Sequence, residues 1–307
     1  MTKHVAVLMG GIANERPVSL ASGRQCSDAL QRAGYKVTDV DVGYDIAERL
    51  RELKPDVAFN ALHGVFGEDG TIQGVLEFLR IPYTHSGVLA SALAMNKHQA
   101  KIMLKAAGIP VTDHTIANRA EVARAHLMQP PYVVKPIADG SSFGVFIVKA
   151  DQSHPPQELL REDWNSGEEV MVERYIPGRE LTCAVMGDVA LGVIDIVSKA
   201  SGWYDYQSKY APGGSQHILP AEIPVDIYRK VQMYAIMAHQ ALGCRGVSRS
   251  DFRLDDAPNK EPELILLETN TQPGMTGTSL VPELAAHAGH SFEELVTWMV
   301  NDASLDR

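Results

Sequence analysis

Three short apolar runs, at residues 5–9, 37–42 and 57–62, alternate with helix-like segments at 18–33, 45–53 and 71–79. This alternation limits the fold more than any other feature. Strands joined through helices at this spacing pair in parallel, and the helices cover the sheet faces. Gly34 supplies the stop expected after the first helix. The 307 residues exceed what one such unit needs. At about 100–200 residues per domain, two or three domains are expected.

The texture changes after Ser86-Gly87. Residues 88–107 predict one helical stretch, ended by Gly108 and Pro110. Strand-like segments follow at 132–135, 145–148 and 169–174, with a short helix around 156–164. Paired strands at 181–186 and 189–197 lead to an irregular stretch, 203–216, and a long helix over 226–242. Two further strands, 246–254 and 263–270, precede closing helices from Leu280 and Phe292. The expected organisation is α/β with boundaries near residues 96 and 180: 1–96, 97–180 and 181–307.

The formal net charge of −10 argues against a nucleic-acid coat, which needs Lys and Arg to neutralise phosphates. It leaves room for an anionic ligand wherever a few cations gather. No apolar run approaches a membrane span, and the opening run stops at Gly10-Gly11 without a cleavage site. Cys26, Cys183 and Cys244 are far apart and form no CxxC, which argues against a disulfide framework or a zinc ribbon. A reduced, cytoplasmic protein without membrane or nucleic-acid partners is expected.

Several segments carry chemistry. The first strand runs into Gly10-Gly11-Ile12-Ala13-Asn14-Glu15, a loop that suits close ligand approach or only a tight turn. Glu15 reads equally as a helix-start carboxylate. Neither GxGxxG nor GxxxxGK[ST] occurs, which disfavours a dinucleotide fold and a P-loop. The third strand ends in His63-Gly64-Val65-Phe66-Gly67-Glu68-Asp69-Gly70, where open α/β sheets bind ligands. The bland alternative has Asp69-Gly70 as a turn and His63 in the core.

Lys135 interrupts an apolar strand and precedes Gly140-Ser141-Ser142-Phe143-Gly144, whose backbone N–H groups can cradle phosphate. A plain hairpin leaves that lysine unexplained, since an unpaired buried charge is costly. Arg249 and Asp251 are two apart on one strand, and Glu268 and Asn270 two apart on another, so each pair shares a face. Asp, Glu and Asn without His or Cys are hard oxygen ligands that suit magnesium completed by phosphate oxygens. A salt bridge from Arg249 to Asp251 and Glu268 is the structural alternative. His287 and His290 lack a third ligand and read as surface.

Taken in order, these segments resemble the D-alanine–D-alanine ligases of the ATP-grasp superfamily along almost the whole chain. The resemblance adds Met95-Asn96-Lys97, Glu173-Arg174-Tyr175-Ile176, Gly178-Arg179-Glu180 and Lys209-Tyr210. It also takes in Glu268-Thr269-Asn270-Thr271-Gln272-Pro273-Gly274-Met275-Thr276 and Ser279-Leu280. It implies a three-domain ATP-grasp architecture with ATP between the central and C-terminal units. Lys97, Lys135 and Lys209 would meet phosphates, and the loop of Ser141 and Ser142 would close over them. Glu173, Arg174, Ile176 and Glu180 would line the adenine and ribose pocket. Asp251, Glu268 and Asn270 would hold two Mg2+ (or Mn2+). Glu15 and His63 would receive the first D-alanine, and Ser279 and Leu280 the carboxylate of the second. Arg249 and the Gly274 N–H would stabilise the oxyanion, while Tyr210 would hydrogen-bond toward Glu15 and Ser141.

The implied reaction makes D-alanyl-D-alanine through a D-alanyl phosphate, for peptidoglycan precursors, in a protein whose relatives are typically homodimers. Asn96 stands where Asp is common in the family, and Arg174 where Lys is frequent. Alternatives are an ATP-grasp ligase for another carboxylate and amine, a D-alanine–D-lactate ligase, a nucleotide sensor without turnover, and a dehydrogenase.

Overall fold

The computed structural model describes residues 2–140, 144–198 and 214–306. Strands β1 (His4–Met9), β2 (Lys36–Asp41) and β3 (Val57–Asn60) form a parallel sheet in the order β2-β1-β3. Helices α1 (Arg16–Arg32), α2 (Ile46–Leu53) and α3 (Thr71–Leu79) alternate with them. β1 is central and buried from Val5 to Met9, which explains its unbroken apolar run. The loops after β1 and β3, carrying Glu15 and His63, leave the same carboxyl edge of the sheet.

The helical stretch expected at 88–107 is two helices, α4 (Val88–Met95) and α5 (Lys97–Ala106). Asn96 separates them, with an extended backbone, and its Oδ1 accepts from the Gln99 N–H at 3.1 Å. Asn caps helices about as well as Asp, so this departure from the family preserves the cap. It places Lys97 at the first position of α5, whose N–H donates to the Ile137 carbonyl at 2.9 Å.

A four-stranded antiparallel sheet follows in the order β4-β7-β5-β6, from β4 (His114–Asn118), β5 (Tyr132–Pro136), β6 (Phe146–Val148) and β7 (Glu169–Arg174). β4 and the short α6 (Arg119–Arg124) were not expected from the sequence. β4 is an edge strand reading His-Thr-Ile-Ala-Asn, too polar to announce itself by alternation. The helix expected at 156–164 is only a 3-10 turn, Gln157–Leu160.

The third sheet is antiparallel, β10-β9-β8-β11-β12. Its strands are β8 (Arg179–Met186), β9 (Val189–Ser198), β10 (Ser215–Ile218), β11 (Val247–Asp255) and β12 (Glu263–Asn270). One face packs on α7 (Val225–Ala241) and on Leu104 of α5. The other packs on α8 (Leu280–His287) and α9 (Phe292–Asp302), in a core that continues to Val5 and Val7 of β1. Tyr83 pairs with Ala58 and Ser304, so the end of the chain returns to the first sheet. Among the described residues no helix is long and apolar enough to cross a membrane.

Candidate active site

The pairing of β11 with β12 sets Asp251 opposite Glu268 and Arg249 opposite Asn270, so four polar side chains share one face. The register shifts immediately beyond Asp251, where Phe252 faces Leu266, and Leu267 becomes the extra residue of a bulge. Arg249 forks onto Asp251, Nε to Oδ1 at 2.9 Å and Nη2 to Oδ2 at 2.7 Å, and Thr182 Oγ1 donates to Oδ1 at 2.6 Å. Lys97 Nζ lies 3.6 Å from Glu268. The Asn270 Oδ1 accepts from the Gln272 N–H at 2.8 Å.

No group of three or more His, Cys, Asp or Glu side chains gathers as a cage among the described residues. The Asp251 and Glu268 carboxylates and the Asn270 amide oxygen are instead a set of hard oxygen donors on one face. That donor set fits magnesium completed by oxygens of a bound phosphate, which magnesium prefers to an all-protein cage. The Arg249–Asp251 salt bridge of the structural alternative is present alongside it.

One cleft lies between the four-stranded sheet and the β11–β12 edge, lined by Lys135, Ile176, Glu180, Asp251 and Leu267. The lysine that interrupts β5 has its partner here: Lys135 Nζ is 2.6 Å from Glu173 Oε1. Lys101 Nζ is 2.7 Å from Oε2 of the same carboxylate and donates to Thr112 Oγ1 at 2.6 Å. Thr112 in turn donates to Glu173 at 2.5 Å. Burial alone would push the Glu173 carboxyl up, but Lys135 and Lys101 outweigh it and hold it well below the usual carboxylate range. Glu173 is only 2% exposed, with its carboxylate turned into this lysine pair. Arg174 forks onto Glu263, with bonds of 3.0 and 2.5 Å.

A second cleft is lined by His63, Glu68, Arg249, Asn270, Gly274 and Ser279. Glu15 occupies the N-cap position of α1 without capping it. Its carboxylate lies between two glycines: a β-carbon at Gly64 would stand 2.4 Å from Oε2, and one at Gly140 2.8 Å from Oε1. Gly64 also has φ +72°, open to glycine at little cost. Burial lowers the His63 imidazole to about 4, so the ring is neutral at pH 7. Its Nε2 lies 3.3 Å from Ser22 Oγ, which accepts from the Met275 N–H at 3.2 Å. Burial pushes the Glu68 carboxyl up to about 8, with Glu15 and Glu268 adding repulsion against the Gly64 N–H that it accepts at 2.8 Å. Ser279 precedes α8 and its Oγ accepts from the Thr276 N–H at 2.9 Å. Leu280 opens that helix.

The two clefts share one wall: Lys97, Asp139, Gly140 and Glu268. Lys97 spans it, donating to the Asp139 carbonyl at 2.5 Å while facing Glu268. The structure thus gathers His63, Lys97, Lys135, Arg249, Asp251, Glu268, Asn270, Gly274 and Ser279 around these two adjoining clefts, with Glu15 behind Gly64 and Gly140. Ser141, Ser142, Lys209 and Tyr210 lie outside the described residues. Sequence reasoning gave no role to Glu68, Lys101, Asp139, Arg253 or Gln272. Two of them carried a signal: Lys101 is one helical turn from Lys97, and Arg253 continues the alternation of Arg249 and Asp251.

Residues 38–86 match the family model of the D-ala D-ala ligase N-terminus, and residues 103–301 that of the D-ala D-ala ligase C-terminus. The chain is 68% identical over 307 residues to a D-alanine–D-alanine ligase of Xanthobacter autotrophicus, covering 100% of both. It is 65% identical over 303 residues to D-alanine–D-alanine ligase B of Mesorhizobium japonicum, covering 99% of this chain and 98% of the relative. The crystal structure of a Bacillus anthracis D-alanine–D-alanine ligase complexed with ATP superposes with a TM-score of 0.80 at 28% identity. That match covers 98% of this chain and 97% of the other. A further crystal structure of the Bacillus anthracis enzyme gives a TM-score of 0.82 at 30% identity, with the same coverage.

Proposed function

The chain belongs to the D-alanine–D-alanine ligase family, and on that premise we propose that it joins two D-alanine molecules with ATP through a D-alanyl phosphate. The observation that carries this reading is the wall shared by the two clefts. A phosphoryl donor in one and a carboxylate acceptor in the other meet beside Lys97 and Glu268. Residues 1–96, 97–180 and 181–307 serve as substrate unit, central ATP-grasp unit and C-terminal unit.

In this reading the adenosine end of ATP lies along Ile176 and Glu180, and Arg174 contributes backbone there. Glu173 acts by fixing Lys135, which with Lys97 meets the phosphates. Asp251, Glu268 and Asn270 would hold Mg2+ or Mn2+, which when bound neutralises phosphate charge and aligns the transfer. Glu15 takes the ammonium of the first D-alanine. His63, neutral in its buried setting, donates a hydrogen bond without adding charge. The second D-alanine carboxylate meets the N-terminus of α8 at Ser279 and Leu280, where the positive end of the helix dipole favours an anion. Its amine attacks the acyl phosphate, phosphate departs, and Arg249 with the Gly274 N–H meets charge present only in that transition state. By the family resemblance, Ser141, Ser142, Lys209 and Tyr210 would help keep water from the acyl phosphate. The product would serve cell-wall precursor synthesis in the cytoplasm, by a homodimer.

Phosphate release is to be measured with D-alanine, L-alanine and D-lactate, each with and without Mg2+. D-alanine-dependent release that requires Mg2+ is expected; equal release with L-alanine would overturn the assignment.

A further inference from the structure

The chain leaves the four-stranded sheet at Arg174 and enters the five-stranded sheet at Arg179, so residues 175–178 form a strap between the walls of the nucleotide-side cleft. One side chain of β11 holds this strap. Arg253, 7% exposed, donates Nε to the Ile176 carbonyl at 3.1 Å and Nη2 to the Gly178 carbonyl at 2.9 Å. Its Nη1 lies 3.3 Å from Glu180 Oε2, and its guanidinium carbon is 5.9 Å from the Tyr175 ring centroid. Gly178, at φ +91°, lies so close to β11 that a β-carbon there would stand 2.2 Å from the Leu254 carbonyl oxygen. A guanidinium this buried is tolerated only when its donors are met in fixed geometry. Here they are met by two strap carbonyls and a carboxylate, and Arg253 itself borders the cleft.

We propose that Arg253 is a positioning residue for the nucleotide, holding the 175–178 strap and Glu180 against β11 so that the adenosine half of ATP finds a fixed pocket. The proposal rests on the assignment of this cleft to ATP. The lysines of the phosphate half are held otherwise, Lys97 by Asp139 and Glu268 and Lys135 by Glu173. Losing Arg253 therefore damages one half of the nucleotide site and spares the other. Leaving both strap carbonyls without the guanidinium and removing its contact with Glu180 lets the strap lift from β11.

The test uses the full chain with Arg253→Met and Arg253→Lys. KM for ATP and kcat are measured, with inhibition constants for adenosine and for tripolyphosphate. In Arg253→Met, KM for ATP and the adenosine constant should each rise about tenfold or more, the expectation for losing charge-assisted hydrogen bonds. kcat and the tripolyphosphate constant should hold. Arg253→Lys, which keeps the charge and fewer bonds, should fall between, and it gives the same split if Arg253→Met does not fold. An unchanged KM, or equal weakening of adenosine and tripolyphosphate, overturns the proposal. Calorimetric binding of ATP to the unmutated chain separates the two readings. Firm binding with an adenosine-selective loss upholds the strap role even if D-alanine is not the substrate, whereas no ATP binding ends both.

Discussion

The side chains of Gln272 and Asn60, 212 residues apart, close on each other: Gln272 Nε2 donates to the Asn60 carbonyl, and Asn60 Nδ2 returns to Gln272 Oε1 at 3.2 Å. Both are buried, and each reaches further. Asn60 Nδ2 also donates to the Gly67 carbonyl at 3.0 Å, within the loop that carries His63. The Gln272 N–H donates to Asn270 Oδ1, which leaves that oxygen's second lone pair toward the cleft. The pair joins the loop after β3, which carries His63, to the loop after β12.

Replacing Gln272 with Met keeps the volume and removes the amide. Orphaning the buried Asn60 carbonyl should cost about 1–3 kcal/mol of unfolding free energy, read from urea denaturation. Because the lock also orients Asn270, Mn2+ binding followed by electron paramagnetic resonance should weaken as well. A stability loss with unaltered Mn2+ binding would limit the pair to packing.

The Lys101–Glu173–Lys135 cluster gives a second expectation. Lys101→Met leaves Glu173 buried with one cation fewer, and breaking a buried pair in this way costs about 3–5 kcal/mol. Adding Glu173→Gln should recover part of that loss, because the uncompensated charge disappears. The double-mutant cycle in chemical denaturation measures the coupling. Additive losses would mean that Lys101 contributes only through its packed stem.

How far such contacts could be read from the chain depended on their range. The βαβ order and the shared faces of Arg249 with Asp251 and Glu268 with Asn270 follow from local periodicity, and the structure has them. β4 escaped because an edge strand needs little apolar alternation, and the break at Asn96 because a cap costs one residue in an otherwise helical run. Lys135 announced that it needed a partner, but Glu173 came from a neighbouring strand whose register no sequence pattern sets. The Asn60–Gln272 lock and the Arg253 strap join segments distant in sequence, one spanning two sheets, so nothing local encodes them.

Stability should depend on pH through His63. Its folded value, about 4, lies below the ordinary imidazole value, so between about pH 4 and 6.5 the unfolded chain binds a proton that the folded chain refuses. More protons on the unfolded state means that stability rises with pH across this window and is lost as pH falls through it. The full span is worth about 3 kcal/mol at about 1.4 kcal/mol per unit. Glu68, raised to about 8, slopes the opposite way in both chains, so the rise is read as the difference in urea midpoint between the unmutated chain and His63→Gln from pH 4 to 7; parallel curves would assign the acid sensitivity elsewhere.

The Arg249–Asp251 fork admits two origins, and one substitution separates them. If the pair is only a strut, Asp251→Asn and Arg249→Met should lower stability by similar amounts and leave any effect of Mg2+ intact. If Asp251 is a ligand, Asn in its place keeps the size and the Thr182 contact yet offers the cation a neutral oxygen. ATP with Mg2+ should then raise the melting temperature of the unmutated chain well beyond ATP alone, by mass action on the folded state. In Asp251→Asn that increment should vanish while stabilisation by ATP alone persists, and turnover should fall by about a thousandfold, the scale of several kcal/mol of lost charge stabilisation. Arg249→Met should keep the Mg2+ increment and lose turnover, since its charge is needed in the transition state rather than in the bound complex. Retention of the increment in both variants, with similar losses of stability, would favour the strut.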